Sequence, residues 1–345
     1  MADYIASALL AAQAEIAPNF TEAEMRERQN PILRVGLGNQ NYLMANIEDI
    51  KKSTKRPVKG YQFVRRSATN GTTRSHNFTG SQGDTTEVTL SWNTFSEPFS
   101  LYLKAGADNV KNNAQMLADS MRQVQRILRE RAGAALVTGL HAGRTQTANA
   151  IVRNGVFNAA NDAFEVNNQD QFFAYVKSIM TQHKYYGNLD IMVDSVLNPI
   201  ARKIAAQGTN NGENQSYSLQ GFNSVMTHDI LGTEVAVDGY ANGGVAIVLP
   251  QNSFAFIPFV EEVYRAGIGG SFMDYNGGYS TMPDDSGLPL TYMLRGYSER
   301  ADGSANGGTV DDMVTHFQVS VDLATQIAEI SAANETPVYE FALTA

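Results

Sequence analysis

The chain contains no cysteine, which removes disulfides, thiolate metal centres and a cysteine nucleophile. Charged residues are scarce, at 18% against about 25% in a typical domain. Basic residues are the scarcer sign, 26 against 35 acidic, for a net charge of −9. That balance disfavours a general nucleic-acid surface. No cationic stretch precedes an apolar run at the start, where Asp3 stands in place of a Lys or Arg, so no secretory signal is expected. No run approaches the ~18 consecutive apolar residues of a membrane-crossing helix.

Chemical motifs are equally thin. The five histidines, His76, His141, His183, His228 and His316, include no pair at metal-ligand spacing. His228 and Asp229 are sequence neighbours, which on a strand point to opposite faces. There is no Gly-x-Ser-x-Gly elbow and no phosphate-binding Gly-x-x-x-x-Gly-Lys loop. Gly267, Gly269 and Gly270 lack dinucleotide-site spacing. Asp302, Ser304, Asn306 and Gly307 resemble the start of a calcium loop, but Met313 stands where a bidentate Glu is needed. Asp284-Asp285 after Pro283 has ordinary turn composition. The expectation is no catalytic residue, no cofactor and no metal.

What the chain does have is 43% hydrophobic residues and one long amphipathic stretch. Leu117, Met121, Val124, Leu128, Ala132, Leu136 and Leu140 step by threes and fours, one face of an α-helix. The pattern predicts a helix from Asn109 to Leu140, capped by Asp108 or Asn109 and stopped by Gly143. At ~1.5 Å per residue that is a rod of about 45 Å. Lys111, Arg122, Gln125, Arg126, Arg129 and Glu130 are expected on its solvated side.

Charge is segregated along the chain. Lys51, Lys52, Lys55, Arg56, Lys59, Arg65, Arg66 and Arg74 occur without an acid among them. From Gly270 onward there are eleven acids and two bases, a balance of −9 that equals the whole net charge. Such segregation suits copies of one chain binding each other.

Taken in order, Tyr4–Ile16 reads as a short amphipathic helix, and the leading section with Pro31 as an arm outside the core. Tyr61, Phe63 and Arg65, then Val88, Leu90 and Trp92, alternate as two strands. Ser67–Asp84 between them is Gly-, Ser-, Thr- and Asn-rich and reads as the tip of a protruding loop. Phe99–Leu103 is a strand leading into the long helix. Asp170–His183 reads as a helix, Leu189–Val193 as a buried strand, and a helix follows Pro199 through Ile200, Ile204 and Ala205. Ile230, Val235–Val237, Val245–Leu249, Phe254–Ile257, Tyr292–Tyr297, Thr315–Val321 and Val338–Ala342 read as strands. Ala324, Ile327 and Ile330 fit either a continuing strand or a short helix.

This order of an arm, a basic two-stranded loop, a spine helix, a mixed α/β region and closing strands resembles the major capsid protein of tailed bacteriophages, the Hong Kong 97-type fold. Ile191-Met192-Val193-Asp194 followed by Asn198-Pro199 and a helix resembles the strand-then-helix step of that family's axial domain. Gly232-Thr233-Glu234-Val235-Ala236-Val237-Asp238 followed by Gly244–Leu249 resembles it as well. The resemblance covers most of the chain from Lys51 onward and is architectural.

It implies an α+β fold divided into an arm and start of the peripheral domain (1–50), an extended loop with flanking strands (51–104), and a spine helix (105–145). An axial domain (146–258) and the remaining axial and peripheral strands (259–345) follow. It implies a structural, non-enzymatic virion protein that self-assembles through pentamers and hexamers in the host cytoplasm into an icosahedral shell around double-stranded DNA. The DNA would be enclosed without sequence-specific binding, and no membrane is involved. Separate scaffolding, portal or decoration proteins are further partners. No coiled-coil stretch precedes the arm, so a fused scaffold is not evident. Lys55 and Lys59 lie in the loop region, but no motif marks an Asn or Glu partner for lysine cross-linking. An encapsulin-like compartment is the alternative, and an enzyme with an unrecognised site the more distant one. The residues expected at subunit contacts are Lys59, Arg65, Arg66 and Arg74, facing an acidic surface such as Asp311-Asp312.

Overall fold

The computed structural model describes residues 31–43, 47–52, 58–63, 74, 85–102, 113–145, 157–208, 221–227, 244–265, 278–301, 312–328 and 336–344. It is a mixed helix-and-sheet fold. The Tyr4–Ile16 helix, nearly all of the Ser67–Asp84 loop, the strands at Ile230 and Val235–Val237, and the Asp302–Gly307 loop lie outside the described residues.

Three short helices come first: α1 (Pro31–Gly38), α2 (Gln40–Leu43) and α3 (Ile47–Lys52). They follow the leading section that reads as an arm, whose residues before Pro31 lie outside the described residues. Pro31 opens α1 instead of breaking it, because the first helical position needs no N–H donor. Ile32, Leu33 and Leu37 are buried in the main core. Gly36 lets α1 approach closely, since a Cβ there would meet the Phe256 ring at 3.0 Å.

Strands β1 (Val58–Phe63) and β2 (Thr85–Leu90) form an antiparallel ribbon with Val58 opposite Leu90. The ribbon is rooted in a small core. Leu90 packs with Ile47 and Ile50 of α3 and with Ile257 and Ala324, flanked by Val88 and Trp92. β3 (Asn93–Tyr102) leads on toward α4 (Asn113–Ala142), the long helix of 30 residues. All seven residues of the apolar stripe are buried, and Gly143 follows the last turn, its N–H donating to the Gly139 carbonyl.

The spine helix lies on a five-stranded sheet ordered β10-β11-β12-β3. Its members are β10 (Gly278–Pro283), β11 (Thr291–Ala301) and β12 (Asp312–Ile327), with β9 (Phe254–Phe259) pairing the far end of β12. β12 runs 16 residues, so Ala324 and Ile327 continue the strand. Its residues Phe317, Val319, Val321 and Leu323 face α4 in the main core.

A second, six-stranded sheet is ordered β4-β5-β13-β8-β6-β7. It comprises β4 (Phe157–Asn158), β5 (Ala163–Val166), β6 (Leu189–Val193), β7 (Phe222–Thr227), β8 (Gly244–Pro250) and β13 (Tyr339–Leu343). β8 is an apolar run, and β6 is one apart from the buried Asp190, which accepts from the Asn223 and Ser224 side chains, because both faces of these strands are covered. Met192, Val245, Ile247 and Leu249 join the core beneath α4. Ile191, Val193, Ala246 and Val248 pack on α5 (Phe172–Gln182) and α6 (Leu197–Gly208). β6 and β7 are parallel, so the chain crosses over between them through α6. β13 comes from the end of the chain and inserts between β5 and β8. The expected boundary at 258/259 falls inside β9.

Candidate functional site

Of the residues expected at subunit contacts, Lys59 is the best placed. It stands exposed on the outward face of the ribbon and pairs with Glu87 of its own chain at 2.5 Å. That hydrogen bond and charge hold the Lys59 ammonium above its ordinary pKa. Register explains the contact: Tyr61 is directly opposite Glu87, and Lys59 reaches it diagonally. Arg74 is exposed. Asp312 begins β12 opposite Ala301. Arg65, Arg66 and Asp311 lie outside the described residues.

The strongest polar constellation was not expected. Gln125 and Arg129, assigned from sequence to the wet side of the spine helix, are buried. They sit four residues apart on the flank of the apolar stripe, against the turn between β10 and β11. Arg129 Nη1 donates to Asp284 Oδ1 at 2.8 Å and also to Asp285. The Gln125 side chain donates to the Pro283 carbonyl and accepts from the Asp285 N–H. Asp284 also accepts from Tyr292 Oη at 3.0 Å and from the Ser286 and Leu288 N–H groups. Burial, the largest single influence, would lower the Arg129 pKa, but the charges of Asp284, Tyr292 and Asp285 and the Asp284 hydrogen bond together outweigh it and hold the guanidinium above its usual range. Burial, then the same carboxylate, pushes the Tyr292 phenol up. The Asp284-Asp285 turn is therefore a receptor for Arg129 as well as a turn. Its acceptors are taken up by protein donors, which suits a structural lock between spine helix and sheet.

Two further nodes tie elements together. At the end of α4, Arg144 pairs with the buried Glu340 of β13, with His141 Nε2 3.4 Å from the same carboxylate. After β6, Asp194 Oδ1 accepts from the Val196 and Leu197 N–H groups at 3.1 and 2.9 Å, closing the turn into α6. Its Oδ2 accepts from the Val245 N–H at 3.0 Å. Burial raises the Asp194 pKa despite these hydrogen bonds. This is the strand-then-helix step expected at Ile191–Pro199.

His316 lies between Ser100 Oγ (2.7 Å) and Glu299 (2.9 Å) on the face of the five-stranded sheet away from α4. Serine, histidine and carboxylate in series have the composition of a hydrolytic relay. Here Ser100 is in mid-strand directly opposite His316, not at a strained turn or helix start that would aim N–H groups at an oxyanion. The trio reads as a cross-strand polar ladder. Among the described residues no group of three or more His, Asp or Glu could hold a metal ion, and no helix is long and apolar enough to cross a membrane.

No protein-family model matches the sequence, and no curated protein matches it. Solved phage structures align with most of the chain. One titled "Mycobacterium phage Bobi" aligns at 11% identity over 85% of this chain and 87% of that one, with a TM-score of 0.46. One titled "Cyanophage A-1(L) capsid asymmetric unit" aligns at 12% identity over 90% and 91%, also at 0.46. "Capsid of empty GTA particle computed with C5 symmetry" aligns at 13% identity over 85% and 87%, at 0.44.

Proposed function

We propose that the chain is the structural subunit of an icosahedral shell that assembles from copies of itself, as pentamers and hexamers, in the host cytoplasm around double-stranded viral DNA. The observation that carries this reading is the joint made by the β1–β2 ribbon, β3, α4 and β12. A ribbon fixed at its root and exposed on its outward face leads by one strand to a rigid 30-residue helix. This is the order of elements expected of the capsid subunit. In this reading α4 and the five-stranded sheet form the peripheral domain, and the six-stranded sheet with α5 and α6 forms the axial one. The three buried polar nodes supply rigidity, which a subunit in contact with several neighbours requires.

The basic stretch from Lys51 to Arg74 then reaches an acidic surface of a neighbour, with Lys59, Arg65, Arg66 and Arg74 setting register. Exposed pairs contribute only ~0–1 kcal/mol each in general, so their role is specificity more than strength. The chain is a building block and not an enzyme, and any separate scaffolding, portal or decoration protein acts on the assembled copies.

Negative-stain microscopy together with sedimentation velocity tests the reading. The expected result is closed shells of uniform size. A protein that stays monomeric under every assembly condition tried contradicts it. Shells that form readily around protein cargo and never with DNA favour the encapsulin-like alternative.

A further inference from the structure

β3 forms one side of the five-stranded sheet. Along its ten residues it pairs with β12, from Asn93 opposite Leu323 to Tyr102 opposite Val314. Among the described residues no strand lies on its other side. Thr94, Pro98 and Ser100 are exposed. An open edge of this length is a template for a strand from another molecule. The sequence of β3, Asn-Thr-Phe-Ser-Glu-Pro-Phe-Ser-Leu-Tyr, adds to that tendency. Thr94, Phe95, Phe99 and Tyr102 favour β structure, and the strand's sole charge is Glu97 and its sole proline Pro98.

The middle of this edge is obstructed. Pro98 has no N–H, and a strand tolerates proline where its nitrogen points away from the ladder. Its place opposite Gln318 therefore turns the backbone of Pro98, and of Ser96 two residues before it, outward. Arg131 reaches from α4 to this point. Its Nη1 donates to the Ser96 carbonyl at 3.2 Å and pairs with Glu97 at 2.7 Å. Alternation puts Glu97 on the α4 side of the sheet with Phe95 and Phe99, which pack against the main core. A charge turned inward within an aromatic row deters a further strand, whose addition would bury it. At the centre of the edge one outward carbonyl is thus occupied and the next donor is absent.

We propose that Arg131, Glu97 and Pro98 form an edge guard, which keeps β3 from pairing with the β3 strand of a second copy and so excludes edge-to-edge sheet extension as a mode of self-association. The excluded encounter is antiparallel and two-fold, because identical edges match in length and in apolar alternation. Arg131 ties the guard to folding, since its guanidinium reaches Ser96 only with α4 docked on the sheet. Before that docking the edge has only Glu97 and Pro98. The proposal does not depend on the shell reading.

The test uses the full chain, with light scattering and thioflavin T to follow association and hydrogen–deuterium exchange of the β3 peptide to locate it. Glu97→Thr combined with Pro98→Thr should associate at least about tenfold faster than wild type at equal concentration. The β3 amides should be more protected in the associated material than in dispersed wild type. Arg131→Ala should act in the same direction, more weakly. Glu97→Thr with Pro98→Lys should return to the wild-type rate, because a lysine on the edge serves the same end. Unchanged exchange in α4 shows that each variant is folded. Gly36→Val, destabilised at α1, should leave β3 exchange as in wild type. Association of Glu97→Thr/Pro98→Thr no faster than wild type overturns the proposal. So does association that leaves the β3 amides unprotected, or equal acceleration in Gly36→Val.

Discussion

Arg129 shows how one side chain can bind two elements together. Its partners Asp284 and Asp285 are themselves buried, so removing the guanidinium leaves two carboxylates without their cation. Arg129→Met should therefore destabilise the protein by about 3–5 kcal/mol, measured by denaturant unfolding. Asp284→Asn combined with Arg129→Met should cost less than the sum of the two single changes, since they share one network. His183 makes a prediction of a different kind. It is half-buried, 4.8 Å from the Tyr339 ring, and burial lowers its pKa below 6.5. The unfolded chain then takes up a proton at a higher pH than the folded one. Its contribution is fully present above pH ~6.5 and is lost as pH falls toward the depressed value. His183→Phe keeps an aromatic ring and should flatten that part of the melting temperature–pH profile relative to wild type.

At the scale of elements, close approach and anchoring decide what can move. α1 touches β9 through Gly36, with the Phe256 ring already 3.0 Å from an added Cβ. Gly36→Val should cost about 1–3 kcal/mol through overpacking, read as a lower denaturation midpoint with an unchanged m-value. The ribbon behaves differently because Leu90, Ile47 and Ile50 hold its root independently of its tip. Deleting residues 67–84 should leave the melting temperature close to wild type while impairing shell formation. Normal shells from that variant would remove the extended loop from the assembly mechanism.

For the whole molecule, net charge and its segregation set the conditions of association. Basic residues concentrate between Lys51 and Arg74 and acids after Gly270, so contacts between copies should weaken as salt rises and the Debye length shortens. Light scattering of assembly from 50 mM to 1 M salt should show a falling rate. A salt-independent rate would point to apolar contacts instead. The single core beneath α4 draws residues from both large sheets, which predicts one cooperative unfolding transition by calorimetry.

Periodicity by itself determined much of this protein. The spine stripe from Leu117 to Leu140, the alternation of β1, β2 and β12, and the largely apolar runs of β6 and β8 are local signals. Each is set by which face must leave water. The Ile191–Pro199 step was also legible, because Asp194 caps the helix only a few residues along the chain. Tertiary structure alone decided the rest. α1 was missed because Pro31 signals a stop or a start depending on which side packs. β13 reads as a strand anywhere, and only long-range pairing inserts it between β5 and β8. The polar lock was invisible for the same reason. Gln125 and Arg129 look solvated on a helical projection, and Asp284-Asp285 looks like a turn. Only packing 155 residues apart in sequence turns a wet charge and a turn carboxylate into a buried pair.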